Sequence, residues 1–567
     1  MGILSKIGGV FARFRQADAA PLRARAGLQG GYQGQLFAYD AASLDSAEMS
    51  EWLPIVKSPD TEINIYRDRM VARTRDVVRN DGFAAGAVNR MLDSTIGGAY
   101  RLSSMPDYRA LSRFSSKFDA VWAEDFRLAV ESEWRGYSED IGHYNDQARA
   151  MTIHQQFRQA LGHMLIDGDA LALTHWLPER VGRGGARFAT AFQIVDPDRL
   201  SNPYSNGNGV APMDTQFMRG GIELDHQGVP IAYHIRKAHQ NDYFASLDSV
   251  IWERIAREDD DGFMRVIHHF ERQRADQHRG VSVFAPILGR LKLLARYYGV
   301  ELQAATIASV FGTYVTSPYD PAMVEDALNP DGQDGMSWYQ GMRADFHKER
   351  KPMLNNAVIP TLAPGEKLET VSAERPNSAF GDFTRQMLLG ISTALGISVE
   401  QLTNDYSETN YSSARAAIAE TERTVKRRLA EFNSGVANPM FATWMDEGFR
   451  RKMFPLPNGA PDYMEARTAY SRCAWRGPGA GLVDGLKERQ ASILGIDANL
   501  TTMQDEIADE SGRDWREIME QRAIEMKLKA SLGLPDVGVP TTAPNGTQGD
   551  TNTPENDADV RDEEGAK

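Results

Sequence analysis

The sequence predicts a helix-rich α+β protein with more than one domain. Long stretches in which apolar residues recur every three or four positions indicate helices with one buried face. Between two such stretches, residues 188–236 contain short alternating runs bounded by turn residues, which is the pattern of strands. The chain has 567 residues, 42% of them hydrophobic, so it can bury substantial cores and is not predominantly disordered.

The N-terminal region divides into an arm and a basic helical stretch. Residues 1–50 are rich in Gly, Ala and Arg and are expected to be a poorly ordered arm. The helical stretch ends at Ile96-Gly97-Gly98, where paired glycines supply a helix stop. We interpret its arginines as a solvated face, with phosphates or acidic neighbours as the alternative partners. These are Arg67, Arg69, Arg73, Arg75, Arg79 and Arg90.

The next region is predicted to mix helices and short strands. Helical patterns cover residues 111–134 and 155–165, and Asp167-Gly168-Asp169 is a tight turn into a strand from Ala170 to Trp176. The turn Asp225-His226-Gln227-Gly228 separates two of the later strands. These strands are Phe188–Val195, Gly221–Leu224 and Ile231–Arg236.

Two helices are predicted on either side of an insertion. Ser282 as N-cap and Pro286 in the first turn start the first helix, which runs to about Phe311. Its length is on the order of 40 Å at about 1.5 Å per residue, so it needs a packing partner along its whole length. The second helix covers Phe380–Leu395, and the residues between the two helices lose the helical period.

A wholly polar loop leads directly into a third long helix. Apolar or small residues recur every three or four positions from Ala414 onward. Ser412 or Ser413 is expected to cap this helix, so the polar side chains project from a rigid support. The loop is Asn404, Asp405, Tyr406, Ser407, Glu408, Thr409, Asn410 and Tyr411.

Composition and motifs exclude several classes of protein. The formal net charge of -15 argues against a conventional tight DNA binder, which neutralises phosphates with a basic surface. Cys473 is the single cysteine, which suits a reducing compartment such as a bacterial cytoplasm. The sequence has no P-loop, no Gly-x-Ser-x-Gly elbow and no zinc-ligand spacing, and no apolar run predicts a membrane span. We therefore predict no catalytic residues, no metal and no cofactor.

Four carboxylates supply the strongest alternative from chemistry alone. Asp167 and Asp169, together with Asp196 and Asp198, have the residue type that holds two cations in metal-dependent nucleases. Each pair also lies in a turn, where Asp commonly bonds its own backbone. A nuclease or other DNA-processing enzyme therefore remains an alternative hypothesis.

Six sequence blocks in series resemble the lambda family of tailed-bacteriophage portal proteins. The order and spacing hold from about residue 60 to residue 532. The first blocks are Arg75-Asp76 with Arg79-Asn80 and Ile96-Gly97-Gly98, then Asp167-Gly168-Asp169, then His269-Phe270 with Arg272, Gln277 and Arg279-Gly280-Val281-Ser282. The later blocks are Pro364-Gly365-Glu366, then Asp405 with Asn410-Tyr411-Ser412-Ser413-Ala414-Arg415 and Trp444, and finally Asp484-Gly485-Leu486-Lys487-Glu488.

The resemblance implies a non-enzymatic ring, typically a dodecamer, at one capsid vertex of the virion. Double-stranded DNA is packaged and ejected through such a ring. The implied partners are the terminase large subunit, the major capsid protein or scaffold, and head-tail connector (adaptor) proteins, with assembly in the host cytoplasm and no membrane. A capsid adaptor that forms rings without conducting DNA is a further alternative.

The portal fold that the resemblance implies divides the chain into nine segments. Within it, the polar loop becomes a tunnel loop that points into the channel. Arg415, Arg423, Lys426, Arg427 and Arg428 are expected to form a basic channel ring or subunit ion pairs. The segments are an N-terminal arm (1–50), an α+β wing (51–281), a first stem helix (282–312), a clip (313–374), a second stem helix (375–397), the tunnel loop (398–411), a long helix returning to the wing or crown (412–480), a helical crown (481–534) and a disordered acidic tail (535–567).

Overall fold

The computed structural model describes most of the chain between residues 49 and 534. Contacts divide the chain into two units, residues 1–57 and 58–567. Within the first unit, Trp52, Leu53, Ile55 and Val56 expose most of their side chains. The described residues are 49, 51–98, 100–203, 214–310, 345, 353–354, 357–358, 380–407, 409–479 and 485–534. The acidic tail and almost all of the predicted arm and clip lie outside them.

Helices dominate the described part of the second unit, as the sequence predicts. They are α1 (Pro59–Asn80), α2 (Gly82–Thr95), α3 (Tyr108–Leu111), α4 (Ala120–Ser138), α5 (Ile153–Ile166), α6 (Leu288–Val310), α7 (Phe380–Leu395), α8 (Val399–Thr403), α9 (Tyr411–Phe432), α10 (Asn438–Arg450), α11 (Arg467–Tyr470), α12 (Gly485–Asp497), α13 (Met503–Ser511) and α14 (Trp515–Ser531). Among the described residues, no helix is both long and apolar enough to cross a membrane.

The strands form small antiparallel sheets. The strands are β1 (Arg101–Ser104), β2 (Ala170–Trp176), β3 (Thr190–Ile194), β4 (Met218–Arg219), β5 (Ile222–Leu224), β6 (Pro230–Arg236), β7 (Trp252–Ala256), β8 (Val266–His269), β9 (Met353–Leu354), β10 (Ala357–Val358) and β11 (Cys473–Arg476). Within the sheets, neighbouring strands follow the orders β1-β11, β3-β2-β8, β4-β5-β6-β7 and β10-β9.

The predicted basic helical stretch is two helices, and its face is not uniformly solvated. Asp81 separates them: its backbone ends α1, and its carboxylate caps α2 by accepting from Ala84 N–H at 2.9 Å. Arg67 is buried and Arg75 is half-buried, so the prediction of a solvated face is wrong for both residues. The other four arginines of the set are exposed, as expected.

The turn between α5 and β2 lies where the sequence predicts it, and β2 has the predicted bounds. α5 starts with a capping box in which the Thr152 hydroxyl accepts from Gln155 N–H and the Gln155 side chain accepts from Thr152 N–H. Gly168 then adopts a φ of +91°, a conformation that L side chains rarely adopt. Four of the five residues from Ala170 to Thr174 are apolar, and all five are buried, so this strand lies inside the fold.

The first long helix begins six residues later than its predicted N-cap. The Ser282 hydroxyl donates to the Leu165 carbonyl at 3.2 Å and accepts from Phe284 N–H, which fixes a turn before the helix. α6 then starts at Leu288. The second helix, α7, has the predicted bounds Phe380–Leu395.

α6 and α7 pack as an antiparallel pair. Near the start of α7, the Tyr297 ring lies 5.0 Å from that of Phe383. Further along α7, a Cβ on Gly390 would lie 2.6 Å from an Arg290 guanidinium nitrogen, so the helices approach closely there. Phe380, the first residue of α7, contacts Tyr298 of α6. Beyond Tyr298, α6 continues for twelve residues, or about 18 Å. Val300 and Leu302, in that extension, are 54% and 70% exposed.

α9 and α10 follow each other without a break in the helical backbone from Tyr411 to Arg450, and a π-helical turn at Asn433–Ala437 joins them. In that turn, a Cβ on Gly435 would lie 1.9 Å from the His269 ring, so glycine makes room for the histidine. α10 also carries Glu447 into the core, where its carboxylate accepts from Ala189 N–H and Thr190 N–H at 2.7 and 2.8 Å. These contacts attach the helix to β3.

The main core lies between these helices and is rich in aromatic rings. Trp444 of α10 and Trp134 of α4 meet edge to face with centroids 5.0 Å apart. Trp475 of β11 stacks on Tyr100 at 5.2 Å, which joins a C-terminal strand to the N-terminal region. A second, smaller core lies between the sheets that contain β2 and β6.

Candidate functional site

The polar loop begins from a short capped helix. The Ser398 hydroxyl accepts from Gln401 N–H at 3.2 Å, and the Gln401 side chain accepts from Ser398 N–H, which closes a capping box around α8. α8 ends at Asn404, whose φ of +59° is the left-handed conformation that Asn tolerates at helix ends. The first part of the predicted tunnel loop, residues 398–411, is therefore helical.

The middle of the loop is a tight turn that presents polar groups to solvent. Ser407 donates to the Asp405 carboxylate through both its backbone N–H, at 3.0 Å, and its hydroxyl, at 2.6 Å. These hydrogen bonds to Ser407 lower the pKa of the fully exposed Asp405. Tyr406, between them, is 49% exposed. The turn thus offers a negative charge and an aromatic ring side by side.

Asn410, and neither predicted serine, caps the following helix. Its side-chain oxygen accepts from Ser413 N–H at 2.9 Å, so Ser413 donates where it was expected to accept. α9 consequently begins at Tyr411, three residues before the start of the apolar pattern. Glu408 lies outside the described residues.

The base of the loop is clamped to two other helices. Arg90 of α2 donates to the side-chain oxygen of Asn404. Where α7 ends, Arg428 of α9 donates to the Leu395 carbonyl at 2.6 Å. The next residue, Gly396, has a φ of +67° and faces the Thr424 side chain, which a Cβ would approach to 2.8 Å. The loop therefore projects from a fixed three-helix support.

The five basic residues after the loop lie in different environments. Arg428 is buried, and its burial, with the adjacent charge of Arg427, lowers its pKa to about 10. It therefore supports α7 from inside the chain, where a channel ring or subunit ion pairs were expected from the sequence. Arg427 pairs with Glu271, and the exposed Arg423 pairs with Glu420 at 2.9 Å. Lys426 lies 3.9 Å from Asp509, and Arg415 is exposed.

A buried ion network that sequence reasoning missed joins helix α1 to two of the blocks quoted above. Asp169 is fully buried, and its carboxylate accepts from Arg67 of α1 and from Arg279, each at 2.7 Å. Burial opposes its ionisation, yet the charges of Arg279 and Arg67 hold the pKa of Asp169 well below its usual range. Arg67 and Asp169 are 102 positions apart in the sequence, so no local pattern reveals the pair.

Arg279 organises the backbone around this network. One of its guanidinium nitrogens donates to both the Leu200 and Gly220 carbonyls at 2.6 Å, and another donates to Pro197 at 2.9 Å. Its side chain is 2% exposed. The buried Arg279 side chain therefore connects the turn before β2 to two loops of the second core. In the sequence, only the order of the family blocks pointed to Arg279.

The four carboxylates of the nuclease alternative all contact arginine guanidinium groups, although Asp167 and Asp196 also lie close to His163, and Asp196 and Asp198 to His239. Arg75 lies between three of them, donating to Asp167 at 2.8 Å, to Asp196, and to Asp198 at 3.4 Å. Asp169 is enclosed by its own arginines. Burial opposes the ionisation of Asp196, but the charges of His163 and Arg75 lower its pKa. Guanidinium groups thus supply the positive charge that two metal ions supply in such nucleases.

With this geometry established, comparison with known proteins identifies the family. The model of the family described as phage portal protein, lambda family, matches residues 45–428, which is more than half of the chain. The chain belongs to the lambda family of phage portal proteins. The matched span contains the Arg67–Asp169–Arg279 network, the α6–α7 pair and the polar loop.

Named relatives agree with this family over nearly the full length. The portal protein of Escherichia phage N15 is 29% identical, with 90% of this chain and 92% of the relative covered. Portal protein B of Escherichia phage lambda is 28% identical with the same coverage. Among solved structures, a chain from the neck of an empty gene transfer agent particle is 13% identical, with a TM-score of 0.38 and coverage of 82% of this chain and 94% of that chain.

Proposed function

We propose that copies of this portal protein form a closed ring at one capsid vertex, through which double-stranded DNA is packaged and ejected. The observation that carries the proposal is the antiparallel α6–α7 pair leading directly into a clamped, exposed polar loop, within the span matched by the portal family. The ring is non-enzymatic and contains twelve copies, the number that the family resemblance implies. It is a component of the virion, assembled in the host cytoplasm.

The segment assignments follow from this proposal. Residues 51–281 form the wing, α6 and α7 are the two stem helices, and residues 313–374, between them, form the clip. The partial exposure of Val300 and Leu302 supports the stem assignment, because neighbouring stems in a ring would cover them. Residues 412–480 return to the wing, residues 481–534 form the crown, and residues 398–411 are the tunnel loop.

The loop is suited to contact with moving DNA. Asp405 repels phosphate, which shortens any contact, while Tyr406 offers an exposed ring. Arg415, exposed near the start of the adjoining helix, supplies basic charge near the loop, and Arg423 lies about two turns further along, paired with Glu420. The combination favours sliding over tight binding, which agrees with the net charge of -15.

The proposed partners are the terminase large subunit during packaging, the major capsid protein or scaffold during assembly, and head-tail connector proteins afterwards. Each would contact the outside of the ring, and the clip is the assigned docking segment for terminase and connector. Pull-down of the terminase large subunit by the ring, and its loss when residues 313–374 are replaced by a short linker, would test that assignment.

Electron microscopy of the purified chain tests the ring directly. Ring-shaped particles with an axial channel are expected, and finding only monomers or dimers under all assembly conditions would contradict the proposal.

Deletion of residues 404–410 tests the loop. The expected result is intact rings with impaired packaging or genome retention. Normal packaging and retention would show that the loop does not act on DNA and would favour a ring-forming adaptor.

A further inference from the structure

An exposed aromatic loop and an unfilled cavity lie at opposite ends of the β6–β7 hairpin. The aromatic knob, as we call residues 243–247, connects the end of β6 to the start of β7. The wing cavity, as we call the second feature, lies near Pro230, where β6 starts, and Arg257, which follows β7. Seven strand residues at about 3.3 Å each separate them by about 23 Å.

The aromatic knob exposes apolar side chains from a firmly built turn. Tyr243, Phe244 and Leu247 are 88%, 96% and 79% exposed. The Asp242 carboxylate accepts from Phe244 N–H at 3.0 Å, and buried Arg236 donates to the Ser249 carbonyl at 3.1 Å. The rings are thus presented by ordered backbone, in the manner of the aromatic anchors that dominate protein interfaces.

The wing cavity has the size and lining to receive one aromatic ring. Its volume is about 260 Å³. A cavity of about 150 Å³ is enough to hold benzene in a protein core. The walls are largely apolar or aromatic, and the π-helical turn closes one side. These walls include Ile222, Tyr233, Met264, Val266, Phe270 and Gly435.

Charges around the two features are complementary. Arg257 and Arg272 line the cavity and reach solvent; Arg257 lies 3.7 Å from Glu258, so Arg272 supplies most of the positive charge of the rim. Among the described residues, no carboxylate lies within 4 Å of the Arg272 guanidinium. Asp242 and Asp248 flank the aromatic knob. An inserted ring would therefore meet guanidinium groups that favour its face, and the flanking carboxylates would meet the same rim.

We propose that the aromatic knob of one copy inserts Phe244 into the wing cavity of the next copy around the ring. The hairpin separates the two features, so a chain does not fill its own cavity. The contact is heterologous, with a different surface on each partner, which is the type that closes a ring of rotationally related copies. The inference rests on the proposed ring, and assigns it a contact in the wing, away from the stem helices.

Thiol cross-linking of the full chain tests the contact. The variant Leu247→Cys with Met264→Cys, which keeps Phe244 and is treated with a short bis-maleimide after assembly, should give a ladder of covalent multimers. Native Cys473 is partly buried and its burial raises its pKa to about 12, so background reaction is expected to be low. The wild-type chain and each single-cysteine variant are the controls and should give no ladder.

The outcomes separate this inference from the proposed function. If the double variant forms rings but gives no covalent multimers, the proposed contact is wrong and the proposed portal ring is unaffected. Covalent dimers in the Leu247→Cys variant alone would mean that two knobs meet, which also overturns it. An absence of rings of the wild-type chain under every assembly condition would overturn the proposed function and the contact together.

A truncation supplies an independent measurement. Phe244→Ala should raise the subunit concentration at half-assembly by about tenfold or more, the effect of removing an interface hot spot. The matched control is Ile141→Ala, which removes an equally exposed apolar side chain, 94% accessible, outside both features. Equal assembly of the two variants would contradict the insertion.

Discussion

Gly168 and Gly280 touch through their backbones: a Cβ placed on Gly280 would lie 1.9 Å from the Gly168 carbonyl oxygen. In the opposite direction, a Cβ on Gly168 would lie 2.5 Å from the amide nitrogen of Val281. This approach brings the Gly280 N–H to the carboxylate of Asp169 at 2.5 Å. The two glycines therefore allow the turn before β2 and the Arg279 segment to share one buried carboxylate.

Gly280→Ala should destabilise the chain because backbone atoms must move to admit the methyl group. We expect the free energy of unfolding to fall by about 3 kcal/mol, at the upper end of typical overpacking effects. The control is Gly289→Ala in α6, where nothing lies within 4 Å of the added Cβ. That change should be neutral or add about 0.5–1 kcal/mol. Chemical denaturation measures both, and equal stabilities would refute the close approach.

Asp169→Asn should cost more than any surface carboxylate substitution, because it leaves Arg67 and Arg279 buried without their counter-ion. Breaking such a buried pair typically costs about 3–5 kcal/mol. Asp93→Asn, which removes an exposed partner of Arg158, should cost about 0–1 kcal/mol. The folded pKa of Asp169 is depressed, so its contribution is present above the unfolded pKa of about 3.9 and is lost as pH falls below it. The difference in the free energy of unfolding between wild type and Asp169→Asn should shrink at such low pH, and a constant difference would contradict this.

Local sequence patterns located β2, α7 and the turn between β5 and β6, because each depends on neighbouring residues. They misplaced the start of α6, because Ser282 bonds Leu165 across the fold instead of capping the helix. They also missed the partners of Arg67 and Arg428, which come from distant segments. The expectation of a solvated face for Arg67 came from the local pattern, and that of a channel ring or subunit ion pairs for Arg428 came from the family resemblance; neither carries information on partners within the chain.

His269 should make stability depend on pH between about 6.5 and 4. Burial, with the nearby charges of His268 and Arg272, lowers its pKa to about 4. Below an unfolded pKa of about 6.5, only the unfolded chain takes up the proton, so stability falls until pH reaches the folded value. A difference of about 2.5 in pKa corresponds to about 3.5 kcal/mol at about 1.4 kcal/mol per pKa unit.

Chemical denaturation of wild type and His269→Phe, from pH 7 to pH 4, measures this effect. The variant keeps a ring beside Gly435 and should lose much of the decline, with the remainder due to His268 and His154, whose pKa values burial also lowers. His226→Gln, at an exposed turn position, is the control and should keep the wild-type profile. An unchanged slope in His269→Phe would rule out His269 as the source.

Arg90→Ala should loosen the polar loop without unfolding the chain. Arg90 is exposed and holds the side chain of Asn404, so its loss removes one clamp while the Asn410 cap remains. Hydrogen exchange at the amides of residues 404–407 should accelerate several-fold. Arg79→Ala, another exposed helix arginine, should leave this exchange unchanged. Acceleration spread over the whole chain would instead indicate general destabilisation.

The attachment of α14 to α4 should depend on salt, because the contacts at its first turn are largely ionic. Glu517 accepts from Arg101 at 2.7 Å and from Arg135 at 2.5 Å, and Arg516 pairs with Glu124. Further along α14, Ile524 and Leu528 are 60% and 57% exposed, so this single chain gives the helix little apolar packing there. Charged pairs at the surface weaken as the Debye length falls from about 10 Å at 0.1 M to about 3 Å at 1 M salt.

Limited proteolysis of the unassembled chain around residues 511–514 measures this attachment. Cleavage of wild type should accelerate between 0.1 and 1 M NaCl, since screening frees the helix. Glu517→Gln should be cleaved faster at 0.1 M and should respond less to added salt, because one charge of the network is gone. Glu525→Gln is the matched control on the same helix, where the carboxylate accepts from Gln521 at 3.1 Å. If both variants behave like wild type at every salt concentration, the ion pairs do not hold the helix, and the attachment must come from the half-buried surface of Trp515 to Met519.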